Sequence, residues 1–265
     1  MKAAHPEAVP IAGGTDVMVE VNLDHRRPES IMDLTRIREL REWGEENGWL
    51  RVGAGVTYTR IIDELGDRLP GLAMASRTVG SPQIRNRGTV GGNLGTASPA
   101  GDAHPVLLAC DAHVQVGSTS GVRVVPARDF FVGPKKSALR KDELITAFHL
   151  RPANGGQQFS KVGTRNAMVI AVCSFAVNVD RARRRVGTGI GSAGPTPLRA
   201  IEAEDFIAGE LDWENRNPPS DATLKRFGDL VAAAAKPIDD IRGTAAYRRH
   251  ALSVMAQRCL RWAWA

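Results

Sequence analysis

The sequence predicts an α+β protein built in two parts. Short β-like runs alternate with short helical runs through the first half, a polar Pro- and Gly-rich segment follows at residues 151–156, and consecutive strands then give way to helices. The composition of residues 151–156 is typical of a domain boundary. We therefore expect a first domain over residues 1–152 and a smaller second domain over residues 153–265.

Hydrophobic periodicity and Gly or Pro punctuation place the individual elements. In the first domain we expect strands at residues 9–12, 30–34, 49–52, 113–117, 122–125 and 144–150, and helices at residues 57–69 and 71–79. Asp102 is the predicted N-cap of a further helix. In the second domain we expect antiparallel strands at residues 157–163, 169–179 and 185–190 and helices at about 221–235 and 244–264. The arginine cluster at residues 181–185 is predicted to be a solvated turn between two of those strands.

Composition and charge exclude several classes of protein. No apolar run approaches the roughly 20 residues that span a bilayer, and residues 1–6 lack the apolar stretch of a secretory signal, so we expect a cytoplasmic protein. The net charge is +6, but the basic residues are scattered and only two tyrosines accompany them, which disfavours nucleic-acid binding. A basic surface that faces anionic cofactors or an acidic partner fits the charge better.

The cysteines bear on metal binding. Cys110, Cys173 and Cys259 lie far apart and form no C-x-x-C or C-x-x-H pair, so neither zinc nor an iron–sulfur cluster is predicted here. We expect three buried free thiols. Any metal centre that exchanges electrons with this chain is expected in another chain.

Two glycine-rich segments carry the chemistry. The first glycine loop is residues 12–16, Ala-Gly-Gly-Thr-Asp, and the second glycine loop is residues 89–93, Thr-Val-Gly-Gly-Asn. Glycine pairs leave backbone N–H groups uncovered, so successive amides can converge on an anion such as a dinucleotide diphosphate. Neither loop is a Walker loop, because no Gly-Lys-Ser/Thr follows it. A pair of tight turns is the structural alternative for each loop.

The glycine segments resemble the FAD-binding medium subunit of the molybdenum hydroxylases, the relatives of xanthine dehydrogenase and carbon monoxide dehydrogenase. The matching stretches are residues 12–16, 88–93, 96–102, 159–161, 165, 191–197 and 241–248. The resemblance implies a two-lobed flavin domain of the vanillyl-alcohol-oxidase type, followed by a smaller domain of antiparallel sheet with helices. It also implies FAD in this chain, 2Fe-2S clusters in a small partner subunit and molybdopterin in a large one, assembled as a dimer of heterotrimers. Members of the family usually have a strand and a helix ahead of the first glycine loop, whereas the residues that precede Gly13 here are too few for both.

The resemblance also assigns residues to parts of FAD. The glycine loops would hold the diphosphate, while Thr96, Ser98 and Asp102 would contact the ribityl–phosphate region or hold its loop. Ile145 would lie against the isoalloxazine and Lys161 near its polar edge. For Asp102 a purely structural N-cap stays open, and for Lys161 a surface salt bridge. The whole implied cofactor set is Ile11, Ala12, Gly13, Gly14, Thr15, Asp16, Val79, Thr89, Gly91, Gly92, Asn93, Thr96, Ser98, Gly101, Asp102, Ile145 and Lys161, of which Val79 stands where some relatives have an aromatic residue.

The resulting hypothesis is an electron-transfer subunit that takes electrons from the iron–sulfur partner and passes them from FAD to NAD, quinone or oxygen. The alternative is a free-standing flavin enzyme that oxidises a small substrate directly. Such an enzyme can require an acid–base pair, for which His104 and His149 are candidates only by elimination; His104 is expected to be a structural contact. A literal G-x-G-x-x-G at residues 189–194 runs into Pro195 and Pro197, where a dinucleotide site of the Rossmann type needs a helix. It is expected to be a strand end and a tight loop.

Overall fold

The computed structural model describes residues 2–265. The first lobe, residues 2–36, contains two parallel strands, β1 (Val9–Ile11) and β2 (Ile31–Asp33), with helix α1 (Val17–Asn22) in the connection between them. Parallel neighbours need a crossover of this kind. Of the described hydrophobic side chains in the lobe, those that are buried are Ala8, Val9 and Met32. The first lobe therefore has little interior of its own and depends on its contacts with the rest of the chain.

The second lobe contains a five-stranded antiparallel sheet of order β3-β4-β9-β5-β6. Its strands are β3 (Trp43–Glu46), β4 (Trp49–Gly53), β5 (His113–Ser118), β6 (Gly121–Pro126) and β9 (Leu144–Leu150), and a separate short ribbon pairs β7 (Phe131–Gly133) with β8 (Lys136–Ser137). The β5 and β9 strands alternate buried and half-buried residues, as a sheet covered on one face requires. The strands predicted in this region are confirmed.

Six short helices belong to the second lobe. They are α2 (Tyr58–Glu64), α3 (Pro70–Arg77), α4 (Pro82–Arg85), α5 (Val90–Thr96), α6 (Ala103–Ala109) and α7 (Ala127–Phe130). Thr57 and Thr89 cap α2 and α5 by accepting backbone N–H groups. The predicted helix over residues 57–69 is too long: α2 ends at Glu64, and Leu69 is the N-cap of the next helix. The second glycine loop is not an irregular turn, since its glycines form the first turn of α5.

The C-terminal domain is a three-stranded antiparallel sheet covered by helices. The strands are β10 (Gln157–Val162), β11 (Cys173–Asp180) and β12 (Arg185–Gly191), and the helices are α8 (Ile201–Glu210), α9 (Asp221–Ala234) and α10 (Ala245–Trp264). The predicted α+β class, the turn at residues 181–185 and the last two helices are confirmed. Two predictions differ from the structure: the strand expected from residue 169 begins only at Cys173, and α8 was not expected.

Alternate glycines of β12 allow a helix of the second lobe to lie directly on the strand. A Cβ at Gly187 or Gly189 would overlap the carbonyl oxygen of Ala109 or Pro105, both in α6. A Cβ at Gly191 would likewise lie 2.8 Å from Pro105 Cγ, so packing against α6 accounts for the G-x-G at residues 189–191 that imitates a dinucleotide fingerprint. The residues after Gly191 form a loop, as expected, and no helix opens there.

Replacing Gly189 with alanine should therefore destabilise the protein by about 3 kcal/mol, because α6 must move away from the sheet to admit the methyl group. Gly209→Ala is the matched control, since that helical glycine has no atom within 4 Å of the added Cβ and alanine favours helix. Urea unfolding of the two variants measures the difference. Equal midpoints would show that the contact between α6 and β12 is not tight.

The three cysteines are free and buried, as predicted. Within residues 2–265 no helix combines the length and the apolar character that crossing a bilayer requires. The same residues contain no cluster of three or more His, Cys, Asp or Glu side chains arranged to hold a metal ion.

Candidate functional site

The two glycine loops meet across the seam between the lobes. A Cβ on Gly13 would overlap the carbonyl oxygen of Arg87, which immediately precedes Gly88 and the second glycine loop. A side-chain hydrogen bond of 2.8 Å from Thr96 Oγ1 to Asp16 Oδ2 joins the same two regions. Gly13 is therefore required for close approach of one backbone to another, and the loops lie side by side.

Both loops line one cavity of about 960 Å³. Twelve of the seventeen predicted residues line it, namely Ala12, Gly13, Gly14, Thr15, Asp16, Val79, Thr89, Gly91, Gly92, Asn93, Thr96 and Ile145. Its lining combines polar residues such as Thr15 and Asn93 with apolar ones such as Val79 and Ile145, as the sites of small organic ligands do. Loops that faced apart would have contradicted a shared nucleotide site. In the structure both loops face the same cavity.

Unpaired backbone amides concentrate where the loops meet. The amides of residues 13–16 donate to no backbone acceptor among the described residues, and neither do those of Val90 and Gly91 at the start of α5. Residues 90 and 91 lack partners because the first amides of a helix have none within it. Asn93 adds a buried side-chain oxygen, Oδ1, that has no hydrogen-bond partner. Buried polar groups left unpaired are the ones that a ligand satisfies.

The three glycines of α5 differ in their surroundings. A Cβ on Gly91 would overlap the backbone of Ala54, so this glycine lets α5 lie against the turn that follows β4. Gly92 and Gly95 are open by comparison: the nearest atoms to an added Cβ are Thr89 Oγ1 at 3.1 Å and Ile145 Cδ1 at 3.9 Å. Gly91 therefore serves packing, while Gly92 and Gly95 leave room on the cavity side.

The five remaining predicted residues lie outside the cavity lining. Ile11 supports the first loop from below, with Cδ1 3.4 Å from the Cβ position of Gly14. Ser98 accepts the amide of Ala100 through Oγ at 3.3 Å, and Gly101 packs against the ring of His104. These residues shape the segment that follows the second glycine loop.

Asp102 and Lys161, the other two, form a buried ion pair. Lys161 Nζ lies 2.6 Å from Asp102 Oδ2 and 3.2 Å from the carbonyl oxygen of Thr78, next to Val79 in the cavity wall. The expected N-cap role of Asp102 is wrong, because its side chain caps nothing and faces Lys161 and Thr78 instead. The surface salt bridge considered for Lys161 is in fact buried, with 8% of each side chain exposed. Burial raises the pKa of Asp102, and the charge of Lys161 opposes that rise.

His104 fixes the segment between the second glycine loop and α6. Its ring is fully buried, with Nδ1 3.0 Å from the Ser98 carbonyl oxygen and Nε2 3.2 Å from that of Asn93. Burial lowers the pKa of His104 to about 4, so the ring is neutral at pH 7 and donates to one of the two carbonyls. His104 is the structural contact that the sequence predicts.

His104 should also make stability depend on pH. The unfolded chain takes up a proton near pH 6.5 that the folded chain refuses until about pH 4, so stability is complete above pH 6.5 and falls as the pH is lowered between those values, by about 3 kcal/mol in all. His104→Gln should remove this part of the pH dependence, and His5→Gln, at an exposed position, should keep it. Melting temperatures from pH 7.5 to 4 test the difference; parallel curves for all three proteins would contradict it.

Two residues that line the cavity, Tyr58 and Arg87, were not predicted from the sequence. Tyr58 lines the wall and is 3% exposed; burial raises the pKa of its phenol well above the usual value of 10.0, and Asp102 and Asp16 add to the rise. Arg87 also lines it, and its place directly before the second glycine segment was a usable signal. For Tyr58 no local signal existed, because only the packing of α2 brings it to the site.

Comparison with known proteins identifies the fold and the site. A family model described as the FAD binding domain in molybdopterin dehydrogenase matches residues 1–152, and one described as the CO dehydrogenase flavoprotein C-terminal domain matches residues 158–263. This chain belongs to the FAD-binding subunits of the molybdenum hydroxylases. It is accordingly an oxidoreductase subunit with FAD as its cofactor, as the resemblance implied.

This chain and its relatives match over nearly their whole lengths. The putative xanthine dehydrogenase FAD-binding subunit of Escherichia coli K12 is 32% identical over 97% of this chain and 89% of its own length. The carbon monoxide dehydrogenase medium chain of Hydrogenophaga pseudoflava is 30% identical over 96% and 88%. The solved carbon monoxide dehydrogenase from that organism superposes with a TM-score of 0.89 at 29% identity, over 97% of this chain and 90% of the other. The two-lobed fold expected of the family is confirmed.

The residues present fit FAD. The cavity has the volume for a dinucleotide, the amides of residues 13–16, 90 and 91 donate to no backbone acceptor among the described residues, and Asn93 Oδ1 is buried without a partner. Donors on the backbone suit a diphosphate, whose charge is spread over several oxygens. Contacts of single residues with parts of FAD, including those of Ile145 and Lys161, stay predictions.

Proposed function

We propose that this chain is the electron-transfer subunit of a three-chain molybdenum hydroxylase complex. Electrons would reach its FAD from 2Fe-2S clusters of a small subunit, supplied by molybdopterin in a large subunit, and leave to NAD, quinone or oxygen. Two such heterotrimers would associate as a dimer. The names of relatives support the division of labour, since they include the medium chain of carbon monoxide dehydrogenase and the FAD-binding subunit of xanthine dehydrogenase.

The single observation that carries the proposal is the meeting of two glycine loops, one from each lobe, around one cavity with unpaired amides. Bound FAD supplies reversible acceptance of electrons. The chain's own residues bind and orient it: the loop amides would take the diphosphate, and the walls around Val79 and Ile145 would exclude water from the ring. Relaying electrons in this way needs little proton-transfer machinery.

The native complex tests the proposal. Purified through a tag on this chain, it should show flavin absorption superposed on iron–sulfur absorption and should contain one larger and one smaller chain. Reduction by substrate followed by addition of NAD, a quinone or oxygen in turn would identify the acceptor. A single yellow protein that oxidises an alcohol or amine by itself would contradict the electron-transfer assignment and favour the free-standing enzyme.

A further inference from the structure

The cavity is lined by many more cationic than acidic side chains, in addition to the two glycine loops. Eight cationic side chains and three acidic ones line it: Lys2, Arg26, Arg36, Arg41, Arg87, Lys135, Arg140 and Lys141 against Asp16, Glu20 and Glu143. Some of the cations have local partners, such as Lys135 with Glu20 at 3.2 Å and Lys141 with Glu7 at 3.2 Å. Two unpaired ones, Arg36 and Arg87, flank the first glycine loop from opposite lobes.

The backbone fixes both arginines beside that loop. Arg87 places its carbonyl oxygen against Gly13. On the other side, the amide of Leu34 donates to the carbonyl oxygen of Ile11 at 2.9 Å, so the chain that leads to Arg36 runs alongside the start of the first loop. Both residues line the cavity, and their backbones lie beside the first glycine loop.

An acid of the first lobe, Asp33, lies within electrostatic reach of both guanidinium groups. Thr35 donates to Asp33 Oδ1 through its amide at 2.8 Å and its hydroxyl at 2.7 Å. These hydrogen bonds hold the pKa of Asp33 below its usual range, and the charges of Arg36 and Arg87 act in the same direction. Asp33 is thus within electrostatic reach of both arginines, although neither forms an ion pair or a side-chain hydrogen bond with it or with any other residue of the described chain.

Two like charges, one on each lobe, therefore line the cavity without an ion-pair partner among residues 2–265. The first lobe has almost no buried core, so contacts across the seam largely decide how firmly it is held. A doubly charged diphosphate between the lobes would attract both charges, and guanidinium groups bind phosphate oxygens more strongly than neutral donors do. The backbone amides of the loops would then orient the diphosphate, while the arginines supply the opposite charge.

We infer that Arg36 and Arg87 form a two-lobe cationic clamp on the diphosphate of the dinucleotide, which makes the protein select FAD over flavins that lack the diphosphate. The inference rests on the proposed flavin function and adds to it the residues that neutralise the phosphates. It predicts an affinity that depends on salt, because both guanidinium groups are exposed to solvent until the ligand arrives.

Flavin titration of the full-length, flavin-depleted chain tests the clamp, with fluorescence as the readout. Arg36→Gln and Arg87→Gln should each weaken FAD binding about tenfold and flatten its dependence on sodium chloride, while binding of riboflavin, which has no phosphate, stays unchanged. Arg87→Lys should lose less than Arg87→Gln. Arg38→Gln is the control, since Arg38 is equally exposed on the same segment but lies outside the cavity.

The results of this titration distinguish the arginine clamp from the proposed flavin function. Wild-type affinity for FAD in both glutamine variants, or an equal loss for FAD and riboflavin, would overturn the clamp and leave the flavin function standing. A wild-type chain that binds no FAD at all would overturn both. Circular dichroism of the unliganded variants should match the wild type, because neither arginine supports the fold through a side-chain contact.

Discussion

Replacing Gly13 with alanine should lower the affinity for FAD by about a hundredfold, because a methyl group at that position forces the lobes apart. The added carbon would overlap the carbonyl oxygen and carbon of Arg87 and lie 2.9 Å from the amide nitrogen of Gly88. None of these atoms belongs to a flexible side chain, so a backbone must move. The movement would widen the gap that two sets of amides have to bridge.

Gly44→Ala is the control for this variant, since no atom lies within 4 Å of the added Cβ there. Fluorescence titration with FAD measures the affinity, and the melting temperature without FAD reports whether the fold survives. Because the first lobe contributes few buried side chains, we expect the unliganded Gly13→Ala protein to melt close to the wild type. Unchanged FAD affinity would show that close approach of the loops is not what binds the diphosphate.

Local patterns in the sequence predicted the parts of the fold that depend on local physics. The strands of the second lobe and helices α9 and α10 were expected because their apolar residues recur with a strand or helix period. The glycine loops were found for a similar reason: glycine pairs with hydroxyl and amide neighbours have few other uses. Most of the candidate cavity could therefore be predicted from two short segments.

The rest depended on polar side-chain contacts that an apolar pattern does not show. Glu204 occupies a buried position of α8, where Thr188 and Arg199 bind its carboxylate, so the helix lacks a plain apolar face and was not expected. Residues 169–172 look strand-like with their neighbours, yet just before them the carbonyl groups of Ala167 and Met168 wrap around the guanidinium of Arg165, and β11 begins only at Cys173. In each case a polar side-chain contact accompanies the departure from the predicted structure.

Asp102 is the clearest example of a tertiary contact overriding a local rule. Its residue type and its position before α6 favour an N-cap, but Lys161, 59 residues further along the chain, lies 2.6 Å from its carboxylate. A charge-assisted hydrogen bond in a buried setting is stronger than a cap in partial contact with water. The pair therefore joins β10 of the C-terminal domain to the second lobe directly behind the cavity wall.

Lys161→Met should consequently destabilise the protein by about 3–5 kcal/mol at pH 7, because it leaves the Asp102 carboxylate buried without a counter-ion. Asp102 Oδ1 already has no hydrogen-bond partner, so after the change Thr78 alone, at 3.2 Å from Oδ2, would offer a side-chain donor. Lys141→Met is the control, since Lys141 and its partner Glu7 are both 83% exposed and an exposed pair contributes little.

The pH dependence of this loss identifies its cause. Burial already raises the pKa of Asp102, and removing the Lys161 charge should raise it further, so the protonated acid is the form that the folded variant tolerates. A raised folded-state pKa contributes stability at low pH that is lost as the pH rises through it, so the variant should be closest to wild type in acid and furthest from it above neutrality. Adding Asp102→Asn to Lys161→Met should recover much of the loss at pH 7 and make it independent of pH. Urea unfolding of the single and double variants from pH 5 to 8 measures both effects; a loss that does not vary with pH, or that Asp102→Asn fails to relieve, would mean that Lys161 acts through packing of its methylene chain.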